Sequence, residues 1–322
     1  MDESYSILAR GPRVCSLPRT VYPPMSTTTL ATAPRSMGRL PIFWLHYQQN
    51  GGTWITTVAQ AHGERFLRPH LRSHGRNLPN YLNETCRRPR SCKLKAADIT
   101  LQNATFTAIE RAFDRSVELC TGSFLYGTAI MHPRLFLHSA LRHRPGMDPS
   151  QMLEVLHGAR VPERQHAHDL CWGDPYPVRG DNDVKLDGQY NHYDNYYVRG
   201  LNGFSAFWLP PGNVTRAHFM AAVEVLHRFD VILLLDELHL HLDQLVHTFR
   251  WQRSIIERPA VSSNNHRYTP NWMNWTDSQT AWLLELNRWD LELYEIARSR
   301  ARQLSKAAAH AAAEGRAERP HP

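Results

Sequence analysis

The sequence predicts an α/β fold, with a mainly parallel central sheet covered by helices on both faces. Three short segments, 42–45, 123–131 and 229–235, are largely apolar, as expected of strands buried on both faces. Segments with helical spacing of apolar residues separate them. Strands that alternate with helices form a parallel sheet, and the ligands of such sheets lie at the carboxyl ends of the strands.

The first strand, 42–45, leads into a glycine turn. Asn50, Gly51 and Gly52 break the chain, and helical spacing begins at Thr53. Glycines let backbone N–H groups converge on an anion, and a helix N-terminus adds partial positive charge. The pattern is typical of a phosphate-binding turn, although an ordinary connection between a strand and a helix has the same features.

The second strand, 123–131, lies between less regular segments. Residues 64–95 are basic and interrupted by proline, which predicts a loop at a substrate entrance or on the solvated surface. Residues 104–119 have apolar side chains at helical spacing and predict a helix that contains Glu110. Pro133 then predicts the first turn of a further helix.

The carboxyl-terminal half contributes the third strand and the remaining helices. A polar stretch over 160–193 predicts an ordered loop. Helices are predicted at 194–203, 215–228, 236–249 and 276–304, the last in one part or two.

Length and composition bound the domain organisation. The 322 residues, 42% of them hydrophobic, suffice for one large α/β domain over residues 40–305. Residues 1–39 are rich in Arg, Ser, Thr and Pro, and predict a leader that is either disordered or a targeting segment. The alanine-rich and charged residues 306–322 predict a helix that fades into a disordered tail.

The charge balance favours an anionic ligand. The net charge is +7, which suits a nucleotide or an acidic glycan. The arginines are scattered, and no basic run is interleaved with aromatic residues, so nucleic acid is not an expected partner. The five cysteines contain no CxxC pair, so no metal site is expected.

Cysteines and glycosylation sequons together favour the lumen of the secretory pathway. The four cysteines of the central region, which can form two disulfides, are Cys86, Cys92, Cys120 and Cys171. The N-x-S/T sequons begin at Asn83, Asn103, Asn213 and Asn274. No apolar run reaches 18 residues, so membrane association is expected only through a signal anchor that precedes this N-terminus.

Four segments together resemble the carbohydrate sulfotransferases of the Golgi, of the heparan sulfate and galactose type. HYQQNGGT (46–53) is similar to that family's phosphosulfate loop, and AIMHPRLFLHSAL (129–141) to its strand and helix with Arg-Asp-Pro and a later serine. DNYYVRGLNG (194–203) is similar to its Asn-Tyr-x-x-Arg-x-Leu-x-Gly element. LLELNRWDLELYEIARSRARQL (283–304) is similar to its C-terminal helix.

The resemblance implies a P-loop-like three-layer fold and a Golgi location. It also implies transfer of a sulfonate group from 3′-phosphoadenosine 5′-phosphosulfate to a hydroxyl of a glycan or glycoconjugate, without a metal. The residues that it assigns to the nucleotide are Gln49, Asn50, Gly51, Gly52, Thr53 and Trp54 at the phosphosulfate, and Ser139 at the 3′-phosphate.

Two positions depart from the family pattern. Gln49 stands where the family has the loop lysine, and Met131 where it has the arginine of Arg-Asp-Pro. Gln49 still donates a neutral hydrogen bond, about half as strong as a charge-assisted one. Arg134 is the candidate replacement for the missing arginine, and His46 or His132 the candidate donor near the loop.

Sulfonate transfer requires a base for the acceptor hydroxyl proton, and the resemblance implies a Glu or His. Glu110 is the candidate, with an ordinary salt bridge as the alternative role. The two departures motivate a second hypothesis, a non-catalytic protein of the same fold that binds nucleotide or glycan. A P-loop kinase or ATPase is disfavoured because the GK[ST] signature is absent.

Overall fold

Four parallel strands form a sheet at the centre of the described chain. A computed structural model describes residues 39–47, 50–67, 91–110, 112–142, 156, 190–257 and 276–317. The strands are β1 (Ile42–Leu45), β2 (Phe106–Ile109), β3 (Leu125–Ile130) and β4 (Val231–Leu234), in the spatial order β2-β1-β3-β4. All three strand pairs are parallel, which confirms the predicted α/β class.

Helices connect and cover the strands. Those of the described segments are α1 (Gly52–Ala61), α2 (Cys92–Leu101), α3 (Arg115–Glu118), α4 (Pro133–Arg142), α5 (Tyr196–Leu201), α6 (Gly203–Phe207), α7 (Arg216–Leu226), α8 (Leu242–Thr248), α9 (Arg253–Ile256), α10 (Asp277–Leu286) and α11 (Arg288–Ala317), with 3₁₀ turns at Tyr190–His192 and Leu235–Leu240.

The sheet is buried on both faces. On one face, Phe43, Leu45 and Tyr126 pack with residues of α4, α5, α7 and α11 in one hydrophobic cluster. On the other face, Trp44 and Ala129 pack with residues of α1, α8 and α9 in a second cluster. This double coverage explains why the strand sequences are apolar at nearly every position instead of alternating.

Side-chain caps fix several helix starts of the described chain, among them those of α2 and α10. Ser91 Oγ accepts a hydrogen bond from Leu94 N at the start of α2. At α10, Thr276 and Gln279 form a capping box, in which each side chain bonds the backbone N–H of the other residue. Such caps satisfy N–H groups that have no partner inside the helix.

The prediction of a helix over 104–119 is wrong. Residues Phe106–Ile109 form β2, which pairs with β1 in the register Ile42↔Phe106, and only Arg115–Glu118 is helical. Phe106 and Ile109 are buried on opposite faces of the sheet, so their spacing imitates a helix. Periodicity alone does not distinguish a short buried strand from a helical segment.

Other boundaries also differ from prediction. The segment 64–95 is not a loop throughout, because α2 begins at Cys92; residues 68–90 lie outside the described part of the chain. The predicted helix over 236–249 is a 3₁₀ turn followed by α8. The long C-terminal helix is in two parts, and α11 extends to Ala317.

A disulfide and a buried ion pair hold α2 to the segment that contains α3. Cys92 is bonded to Cys120, so two of the four central cysteines form a disulfide; Cys86 and Cys171 lie outside the described residues. Lys95 pairs with Glu118, and neither side chain is accessible to solvent. In the described segments, no helix is long and apolar enough to cross a membrane.

Candidate functional site

The candidate site lies where the chain changes direction at the carboxyl edge of the sheet. From β1 the chain passes to β2 on one side, and it then crosses to β3 on the other side of β1. Loops that leave β1 and β3 therefore diverge, and doubly wound sheets bind their ligands between such loops. Helices α1 and α4 begin just beyond these two strand ends.

The turn before α1 requires a glycine. Gly51 has φ +71°, and an added β-carbon would lie 3.3 Å from Leu235 Cδ2. The first helical bond runs from Ile55 N to Gly51 O. Among the described residues, no side chain caps the helix and no acidic residue occupies its first turn. The positive end of the helix dipole is therefore not offset locally, which favours an anion.

The start of α4 is organised by His132. Its Nδ1 accepts a hydrogen bond from Arg134 N at 3.2 Å, so the neutral ring carries its proton on Nε2. Its backbone N–H donates to Asp236 Oδ1, and its ring packs against Tyr294 with centroids 4.9 Å apart. Burial lowers the pKa of His132 below its ordinary value. A neutral donor thus stands at the end of β3.

Glu110 and His46 come together at the ends of two neighbouring strands. Leu45 pairs with Ile109, so the residues that follow these strands lie side by side. His46 Nδ1 is 3.6 Å from Glu110 Oε1, and the Glu110 side chain is 18% exposed. Burial lowers the pKa of His46 to about 3, so the imidazole is neutral near pH 7. Glu110 is therefore the accessible proton acceptor of the pair, although it lies after a strand and not within the predicted helix.

The remaining predicted site residues occupy different environments. Thr53 and Trp54 are in the first turn of α1, and Trp54 packs against the second hydrophobic cluster, the one that contains Trp44 and Ala129. Arg134 is exposed in the first turn of α4, while Ser139 is partly buried one turn further along. Asn50 is buried. Gln49 lies outside the described residues.

Met131 belongs to the core and not to the site. Met131 is 8% exposed and packs in the larger hydrophobic cluster. The position of the family's arginine therefore faces apolar side chains in this chain, and Arg134, three residues later, is the exposed cation of the same segment.

Sequence reasoning missed the role of the Tyr197 hydroxyl. The phenol donates a hydrogen bond to Asn50 Oδ1 at 3.2 Å and accepts one from Met131 N at 3.1 Å. We call this pair of bonds the Tyr197 bridge, since it joins the loop after β1 to the end of β3. Tyr197 is 1% exposed, and only the structure shows where its hydroxyl points.

Buried polar residues in and just before α5 and α11 bond to one another beside the site. Arg199 pairs with Asp194 in the interior. Asp290 accepts hydrogen bonds from Tyr197 N and Val198 N, and Asn287 Oδ1 accepts one from Asn195 N. Burial raises the pKa of Asp290 to about 7, although the two backbone donors act to lower it. These residues fix α5 and contact no solvent.

Within the described segments, no group of three His, Cys, Asp or Glu side chains could hold a metal ion.

Comparison with protein-family models found no matching family, and comparison with curated proteins found no match.

Proposed function

We propose that the protein transfers a sulfonate group from 3′-phosphoadenosine 5′-phosphosulfate to a hydroxyl of a carbohydrate acceptor, on a P-loop-like fold. The observation that carries the proposal is the pair of helix N-termini, α1 and α4, that begin at adjacent strand ends. Two such ends suit a ligand with two anionic groups. The sequence resemblance supplies the identity of that ligand.

The residues present fit the nucleotide in chemical character. Gly51 leaves room that a β-carbon would fill against Leu235, and Thr53 adds a hydroxyl in the first turn of α1. On α4, Arg134 is exposed and offers a charged donor, and His132 offers a neutral one. We assign the 5′-phosphosulfate to Gly51 and Thr53 at the start of α1, and the 3′-phosphate to α4 with Ser139.

Glu110 is the proposed base. The bound nucleotide supplies an activated sulfonate and leaves as the 3′,5′-bisphosphate. As the acceptor oxygen forms its bond to sulfur, the hydroxyl proton passes to the Glu110 carboxylate. Because burial keeps the neighbouring His46 neutral, Glu110 is the group of the pair that takes the proton. General base catalysis of this kind contributes about 10²–10⁴-fold to a rate.

The direct test uses labelled donor, a panel of oligosaccharides and a Glu110→Gln variant. We expect sulfated product from the wild type, and a rate about 10²–10⁴-fold lower for the variant with unchanged affinity for adenosine 3′,5′-bisphosphate. Absence of both product and bisphosphate binding in the wild type would contradict the proposal. Equal rates for wild type and variant would remove Glu110 from the mechanism.

A second candidate, a nucleotide- or glycan-binding pseudoenzyme, is favoured by the burial of Met131 in place of an arginine and by Gln49 in place of a lysine. The variant Gln49→Lys separates the two. If the wild type binds donor without turnover and the variant gains turnover, the pseudoenzyme is correct. Turnover by the wild type eliminates it.

We place the protein in the lumen of the secretory pathway, in the Golgi. The Cys92–Cys120 disulfide supports an oxidising compartment. Asn103 and Asn213, two of the sequon asparagines, are exposed, as glycan attachment requires.

A further inference from the structure

We infer that the Tyr197 hydroxyl is a positioning group for the anion site: it holds the glycine turn after β1 and the start of α4 in fixed relation. The inference rests on the proposed function for its ligand and on the Tyr197 bridge for its geometry. It assigns a role to a residue whose sequence context indicates only a core aromatic.

The bridge links the loop that follows β1 to the loop that follows β3. Asn50 immediately precedes the glycines of the turn, and Met131 lies two residues before the first residue of α4. At the carboxyl edge, the pairing of β1 with β3 ends at Leu45↔Thr128. Beyond that edge the phenol, which both donates and accepts, links one loop to the other.

Buried neighbours hold the Tyr197 side chain in place. Tyr197 N donates to Asp290 Oδ2, which fixes its backbone to α11. Its ring lies edge-on to Tyr47, with centroids 4.9 Å apart, and is tilted against Phe136 at 5.5 Å. Gly200 allows this close approach, since an added β-carbon would lie 2.6 Å from Tyr47 Cε1. These contacts fix the position of the Tyr197 hydroxyl, and the hydroxyl in turn restrains the two loops.

The hydroxyl remains protonated in the neutral range. Burial raises the pKa of Tyr197 well above its ordinary value, so the donor to Asn50 is always present. Preorganised donors bind more tightly because the cost of ordering them is met during folding. Loss of the hydroxyl alone is therefore expected to loosen both loops and weaken anion binding.

The chain offers a matched control in Tyr126. Its hydroxyl also accepts from a backbone N–H, that of Cys120, and donates to a backbone oxygen, that of Glu118. Tyr126 is 2% exposed, but it is the second residue of β3 and its hydroxyl serves the segment before that strand. Tyr126→Phe removes a comparable pair of bonds away from the candidate site.

The experiment compares Tyr197→Phe, Tyr126→Phe and wild type by amide hydrogen exchange and by calorimetric titration with adenosine 3′,5′-bisphosphate. We expect faster exchange at Asn50–Thr53 and Met131–Arg134, and about tenfold weaker bisphosphate binding, in Tyr197→Phe alone. If exchange in Tyr197→Phe increases in both segments while its affinity for the bisphosphate stays at the wild-type value, the positioning role is overturned.

The exchange data need no ligand, so they test the bridge independently of the nucleotide. Unchanged exchange in both segments of Tyr197→Phe would overturn the inference even if the wild type binds the bisphosphate. A wild type that fails to bind the bisphosphate would contradict the proposed function, while faster exchange confined to Tyr197→Phe would still support the bridge.

Discussion

At Gly51, backbone conformation and close packing impose the same restriction. The residue has φ +71° and faces Leu235, whereas Gly63, just beyond the other end of α1, has φ +73° with no atom within 4 Å of an added β-carbon. Both glycines are in the left-handed region, where a β-carbon costs about 1–2 kcal/mol. Only Gly51 precedes a helix at the candidate site.

We expect Gly51→Ala and Gly63→Ala each to lower the free energy of unfolding by about 1–2 kcal/mol. Gly51→Ala should in addition weaken binding of adenosine 3′,5′-bisphosphate, because the turn must shift to relieve the strain and the contact with Leu235. Denaturant unfolding and calorimetric titration measure the two effects. Equal binding by the two variants would argue against a role for the turn.

His46 gives the site a predictable dependence of stability on pH. Its pKa falls from 6.5 to about 3 on burial, so the unfolded chain binds a proton below pH 6.5 that the folded chain does not. The stability that depends on a neutral His46 is therefore complete above pH 6.5 and is lost progressively as the pH falls toward 3. The slope is at most about 1.4 kcal/mol per pH unit.

The variant His46→Leu removes this titrating group from an otherwise identical chain. We expect the unfolding free energy of the wild type to decline relative to that of the variant between pH 6.5 and pH 4. Parallel curves would show that His46 titrates normally, for example by charging beside Glu110.

The residue types of the site were more predictable than its contacts. The sequence alone identifies Gly51, Gly52 and Thr53 as candidates, because glycines just before a helix are typical of an anion-binding turn. The meeting of His46 and Glu110 depends on the pairing of β1 with β2, which no local pattern specifies. The Tyr197 bridge depends on how α5 packs against the loops, which no local pattern specifies.

At the level of elements, α2 and α3 are joined by one of the most buried ion pairs of the described chain. Lys95 and Glu118 are inaccessible, and Glu118 Oε2 also accepts from Asp114 N. Lys95 Nζ lies 4.9 Å from the centroid of the Phe43 ring. Removing one partner leaves a charge without its counter-ion in a region that water does not reach.

We expect Lys95→Met to lower the free energy of unfolding by about 3–5 kcal/mol. Arg115→Met is the control, because Arg115 pairs with the exposed Glu224 and such pairs contribute about 1 kcal/mol or less. Chemical denaturation of both variants provides the comparison. Similar losses would mean that the buried pair relaxes or admits water.

Strands were predictable where their apolar run was bounded by clear breaks. β1 ends before Asn50-Gly51-Gly52 and β3 ends before Pro133, and both were identified near their observed bounds. β2 was misassigned, because Phe106 and Ile109 continue into Phe113 and Val117 at helical spacing without a proline or glycine between them. Pairing with β1 overrides that local preference.

At the scale of the whole molecule, the disulfide ties the segment before β2 to the segment before β3. Cys92 and Cys120 are separated by 28 positions, and the closed loop contains all of β2. In the chain-entropy model a loop of this size stabilises the folded state by about 3–4 kcal/mol.

We expect reduction of the wild type, or the double variant Cys92→Ala with Cys120→Ala, to lower the unfolding free energy by about 3–4 kcal/mol. Reductant should have no further effect on the double variant. An equal denaturation midpoint with and without reductant would show that the bond is absent in solution, and it would remove the structural support for an oxidising compartment.

We propose that the two helix starts at the carboxyl edge of the sheet receive the two anionic ends of one nucleotide. A crystal structure of the protein with adenosine 3′,5′-bisphosphate would locate both phosphates. We expect the 5′-phosphate at Gly51–Thr53 and the 3′-phosphate beside Arg134 and Ser139. A bisphosphate bound elsewhere, or no ligand at these helix starts at saturating concentration, would overturn the proposal.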